Sequence, residues 1–172
     1  MVSLKQKQSG FTLVEILIVI VIIGILAGLV ITQILGANAK ARDTERKTDI
    51  NSIVNQLEAY YAKSNGYPTN AKLNDAAWRK GNEISSGDSD KSFKDPQGSA
   101  ATLADAVEPA VGQYGYTATP AGCETATNDS GENTGTANPC KGFMLRVRME
   151  NTKEKDAETV NGVLYYTRRS AN

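Results

Sequence analysis

Histidine is absent from this 172-residue chain, which removes the commonest general base, the commonest zinc ligand and the usual switch near neutral pH at once. Excess charge is absent too. Nineteen basic residues balance nineteen acidic ones, so neither the basic surface of a nucleic-acid binder nor an acidic solvating tail is expected. Only two cysteines occur, Cys123 and Cys140. Without histidine they are too few for a structural zinc site, and their spacing is far from Cys-x-x-Cys. No glycine-rich phosphate loop, Ser/Lys signature or carboxylate pair in an apolar setting is found. Nothing organises catalysis, so the expectation is a protein that is not an enzyme, with no cofactor, metal or catalytic residue.

Residues 11–35 contain no lysine, arginine or proline, and 19 of the 25 are apolar, which leaves the rest of the chain more polar than an average soluble domain. As a helix, 25 residues rise about 37 Å, enough to cross a hydrocarbon core of about 30 Å. No later stretch could span, so the chain crosses a membrane at most once. The first ten residues carry Lys5 and Lys7 and no acid, favouring an N-in, C-out orientation, although Lys40, Arg42, Arg46 and Lys47 beyond the run blunt that signal. A secretory signal or a plain signal anchor would explain orientation and length. Neither explains Glu15, an acid inside the apolar run whose ionised form costs at least a few kcal/mol in lipid unless something pairs with it.

Ser9-Gly10-Phe11-Thr12-Leu13-Val14-Glu15 resembles the processing and assembly signature of type IV pilins and the related type II secretion pseudopilins. The resemblance implies cleavage between Gly10 and Phe11 by a prepilin peptidase, which also N-methylates Phe11, and retention of the apolar helix as a filament core. It further implies partners: copies of the same chain in a helical polymer, an assembly ATPase with its inner-membrane platform, and membrane lipid beforehand. Cleavage would create an α-ammonium about 6 Å up the helix from Glu15. In a polymer, the carboxylate would meet the Phe11 ammonium of a neighbouring subunit and check register. The blander alternative is a first-turn glutamate at the headgroup level.

Gly24 and Gly28 form a Gly-x-x-x-Gly pair. It can be read as a helix–helix contact, as a loosened stretch, or as the ordinary glycine content of spanning helices, which is preferred. Many pilins carry a proline in this half of the segment; here Thr32-Gln33 stands in its place. Beyond Gly36, residues 40–49 mix charges at short spacing and read as a solvated helix face with pairs such as Asp43–Lys47. Ile50, Ile53, Val54, Leu57, Tyr60 and Tyr61 then recur at helical spacing, a stripe to dock on a sheet. Asn65-Gly66 supplies the left-handed residue that ends a helix, and Pro68 prevents resumption. Tyr67-Pro68-Thr69 after the helix is again similar to this family.

The remainder predicts short helices over 71–80 and over 100–108, the second behind an N-cap Ser99. Strands are predicted over 114–119, 143–149 and 162–167, with charged residues 151–158 as a connection. The expected fold class is α+β, a pilin-like ladle: a long N-terminal helix, transmembrane in its first half and amphipathic in its second, packed on a small antiparallel sheet. The expected divisions are a leader (1–10), a filament-core half-helix (11–35), an amphipathic half-helix (36–65) and a head (66–172). In an extracytoplasmic head, Cys123 and Cys140 can form one disulfide, similar in role to the disulfide-bounded region of many pilins. Asp88-Ser89-Asp90 begins like an EF-hand, but Phe93 stands where the turning glycine belongs and Ser99 where the bidentate acid belongs, so solvated loop acids are expected. The leading functional expectation is a type IV pilus subunit, in the cytoplasmic membrane before assembly and in an extracellular filament after it, serving adhesion, motility or DNA uptake. The alternatives are a type II secretion major pseudopilin and a membrane-anchored binding module that never polymerises.

Overall fold

A computed structural model describes residues 10–84, 91–99, 101–151 and 154–171. It opens with α1 (Leu13–Ser64), followed by α2 (Asn70–Asn74), α3 (Ala76–Gly81), β1 (Leu103–Ala104), β2 (Tyr114–Thr119), β3 (Gly142–Arg148), β4 (Glu158–Val160) and β5 (Val163–Arg169). The chain divides into two units, one ending at Asn38 and one beginning at Ala39.

In the first unit, α1 is apolar all round. Val19 is the least exposed of the large apolar side chains described there, and it is still 49% exposed. The helix satisfies its own backbone bonds, and its large apolar side chains among the described residues all stand about half exposed or more. It is long and apolar enough to cross a membrane.

The second unit is α+β, as expected. The helical stripe packs as its spacing predicts: Ile50, Ile53 and Leu57 are fully buried, Val54 and Tyr60 nearly so, and Tyr61 lies at the margin. The sheet has the order β1-β2-β3-β5-β4. Alternation along β2 and β3 sends Tyr114, Tyr116, Phe143, Leu145 and Val147 into the same core. Asn65, at φ 56°, is the left-handed residue that ends α1. Gly66 follows for lack of space, since a Cβ there would lie 3.0 Å from the Pro139 side chain.

Three local expectations are corrected. The single helix over 71–80 is two helices, because the Asp75 side chain accepts from the Ala77 and Trp78 amides at 2.9 and 3.1 Å and starts a new one. Of the helix expected over 100–108, the described residues 101–108 are instead β1 and a loop. Asn70 and Asn74 donate to the Leu103 carbonyl, Asn74 accepts from the Leu103 amide, and β2 pairs alongside in parallel. Tertiary partners for the backbone thus override local helical preference, and the sheet is mixed rather than wholly antiparallel. Finally, the connection over 151–158 ends in an unforeseen strand, β4. Asn161 and Gly162, both at positive φ, join it to β5 by a two-residue hairpin turn.

Candidate assembly site and the charged collar

Gly10, Phe11 and Thr12 precede the first helical residue, and Phe11 is 84% exposed. The junction expected to be cleaved is therefore outside the helix and accessible. Glu15 Oε2 accepts from both the amide and the hydroxyl of Thr12, each at 2.7 Å, and Thr12 Oγ1 accepts from the Glu15 amide at 3.3 Å. This is a reciprocal capping box, Thr-x-x-Glu, which satisfies backbone donors at the start of α1. The pattern stands in the sequence as Thr12-x-x-Glu15, a second meaning of Glu15 besides its charge. Its geometry gives the residue two capacities: it fixes the first helical turn, and it presents a carboxylate four residues from Phe11.

The mixed-charge stretch is not a solvated face. Arg46 and Asp43 are each 1% exposed. Arg46 donates through Nε and Nη2 to both oxygens of Asp95 at 2.6 and 3.0 Å, through Nη1 to Asp43 at 2.8 Å and Glu150 at 2.5 Å, and through Nη2 to Gln97 at 3.2 Å. Arg42 forms a bidentate pair with Glu150 at 2.8 and 2.5 Å. Asp43 does not pair with Lys47; it accepts from the backbone amides of Glu150 and Asn151, while Lys47 pairs with Glu154 and lies 3.6 Å from Asp156. The bonds from Arg42, and then those from Arg46, hold the Glu150 carboxyl down at about 2. Burial opposes the Arg46 charge, but its three carboxylate partners outweigh that and raise its pKa. Only the tertiary fold could reveal this collar, because Asp95 and Glu150 lie some 50 and 100 residues from Arg46.

Cys123 and Cys140 are disulfide-bonded. The loop between them is tied inward as well: Tyr67 N donates to the Cys140 carbonyl at 2.8 Å, and the Thr127 hydroxyl lies 2.7 Å from both Tyr60 Oη and Asn82 Oδ1. Replacing both cysteines with serine should lower stability by about 3 kcal/mol, the size expected for a loop of this length. Chemical denaturation of the oxidised wild type and the double variant measures the difference. Asp88, Ser89 and Asp90 of the EF-hand-like stretch, and Ala100, lie outside the described residues. Phe93 is core, beneath the Arg79 guanidinium at 4.4 Å.

Residues 5–31 match the prokaryotic N-terminal methylation motif. The chain is similar to proteins named type II secretion system core protein G: 43% identical over 76 residues to that of Aeromonas hydrophila, covering 44% of this chain and 53% of the relative. To those of Escherichia coli K12 and Vibrio cholerae it is 46% and 44% identical over 64 residues, in each case 37% of this chain and 44% of the relative. The chain thus spans about half the length of the curated relatives it matches. No solved structure matches it.

Proposed function

Starting from a chain whose N-terminal motif and curated relatives are those of the type IV pilin and pseudopilin family, we propose that it is a structural subunit that polymerises through the apolar half of α1, as a pseudopilin of a type II secretion system. One observation carries the polymer reading: a half-helix whose large apolar side chains, among the described residues, stand exposed on every side, and which begins with an accessible Gly-Phe junction and an acid four residues on. Such a surface is stable in lipid or against copies of itself, not in water. In this reading a prepilin peptidase removes residues 1–10 and methylates Phe11. The helix then holds the subunit in the cytoplasmic membrane with the second unit outside, until the assembly machinery draws it into a filament. There Glu15 pairs with the Phe11 ammonium of a neighbour. The chemistry is structural rather than catalytic.

The names of the relatives favour the secretion assignment over a surface pilus. The pilus reading retains one observation in its support, the closed disulfide loop of the head. Mass spectrometry of the membrane-bound protein should give an N-terminus at methylated Phe11; an N-terminus at Met1 would remove both assignments. Deleting the gene then separates them. The secretion reading expects loss of exported proteins from the medium with surface fibres intact, and the pilus reading expects the reverse.

A further inference from the structure

Tyr114, fully buried on β2, donates its hydroxyl to Asp49 Oδ2 at 2.8 Å. Asp49 lies on α1, one turn past Arg46 and partly buried between helix and sheet. The nearby cations are engaged elsewhere: Arg42 on Glu150, Arg46 on Asp95, Asp43 and Glu150, and Lys47 on Glu154 and Asp156. Among the described residues Asp49 forms no ion pair. From its own helix it faces Glu45, from the segment 91–97 it faces Asp95, and from β2 the neutral Tyr114, which in turn feels Arg46. The Asp49 charge therefore has no cation of its own at the seam where helix, loop and sheet meet, in a cluster where carboxylates already outnumber cations.

We propose that Asp49 and Tyr114 form an acid-tightened latch: taking up a proton removes the uncompensated charge, so that α1 holds the sheet and the 91–97 segment more firmly as the surrounding pH falls. Burial first, and then Glu45 and Asp95, push the Asp49 carboxyl up to about 6 against the opposing Tyr114 bond. A carboxyl raised on folding binds more protons in the folded state, so its contribution grows as pH falls from above 6 toward the unfolded value near 4. Glu150, held down at about 2, works in the opposite sense but only below the unfolded carboxylate range. The gain at Asp49 is therefore read above pH 5, where Glu150 stays ionised in both states. The latch belongs to the second unit and operates whether or not the chain polymerises.

The test uses the full chain in detergent micelles. The side-chain carboxyl carbon of Asp49, followed by NMR, should titrate near pH 6. In Tyr114→Phe, which loses the bond that favours the ionised form, the midpoint should move higher. Opening of α1 around residues 45–53, from amide exchange corrected for intrinsic rates, should be slower at pH 5 than at pH 7.5. The expected factor is up to about tenfold, the equivalent of one pKa unit, reduced by whatever solvent reaches the site. Asp49→Asn should be as protected at pH 7.5 as the wild type is at pH 5, with no change between them. A wild-type midpoint near 4 would overturn the latch, as would an Asp49→Asn variant that keeps the pH dependence; the first readout decides even if that variant folds poorly.

Discussion

Replacing Glu15 with alanine should leave membrane insertion and removal of residues 1–10 intact while filament yield collapses. Both early steps depend on the apolar run and the Gly10–Phe11 junction, which the substitution does not touch. Polymerisation, as proposed, buries each Phe11 ammonium in an apolar bundle, and removing one partner of a buried ion pair costs about 3–5 kcal/mol, about two to four orders of magnitude at each contact. The capping box complicates this experiment, because alanine also releases the Thr12 amide and hydroxyl. Glu15→Gln resolves the two effects. Glutamine retains the cap but carries no charge. If the pairing with Phe11 matters, the glutamine variant fails as the alanine variant does. If only the first turn of α1 matters, glutamine polymerises normally and the register role of the carboxylate is wrong. Polymer sheared from cells, measured against subunit retained in the membrane, reads the outcome for both variants.

The second large effect is expected at Arg46. Arg46→Met keeps most of the side-chain volume but leaves Asp95 and Asp43, each 1% exposed, and part of Glu150 without their cation. Uncompensated buried carboxylates make this a loss of about 3–5 kcal/mol, and the melting temperature of the full chain in detergent should fall by about 10–20 °C. Lys40→Met, a few residues earlier and exposed, should change it by no more than about 2 °C. Adding Asp95→Asn to Arg46→Met should recover part of the loss, because it removes one of the stranded charges. Equal melting temperatures for the Arg46 and Lys40 variants would mean that the collar contributes no more than a surface ion pair.

These expectations show what was readable in advance. The spanning half of α1, the docking stripe from Ile50 to Tyr60, the strands near 114–119, 143–149 and 162–167 and the α+β class all follow from local periodicity, since each is set by residues a few positions apart. What escaped were features whose partners are distant or whose signal was given a different meaning. Arg46 looks like any exposed helix arginine until Asp95 and Glu150 arrive. Leu103 joins a strand because Asn70, Asn74 and β2 offer backbone partners that a helix would compete against. Thr12-x-x-Glu15 and Asn161-Gly162, by contrast, are short local signals of a capping box and a hairpin turn. Both are local and legible, but Glu15 carries a charge signal as well as a capping one, and the hairpin follows directly on a charged connection.

The collar also sets how the second unit carries load. Its ion pairs are directional and are lost within about an ångström of displacement, whereas the apolar stripe can slide while staying in contact. Tension applied through α1 from its N-terminal side reaches Arg42, Asp43 and Arg46 before it reaches Ile50. The bonds to Asp95, Glu150 and the amides of residues 150 and 151 must then rupture nearly together, rather than one after another as in peeling. A pull along α1 thus meets its stiffest fastening first, and the aromatic core behind it is shielded from shear until that fastening gives way.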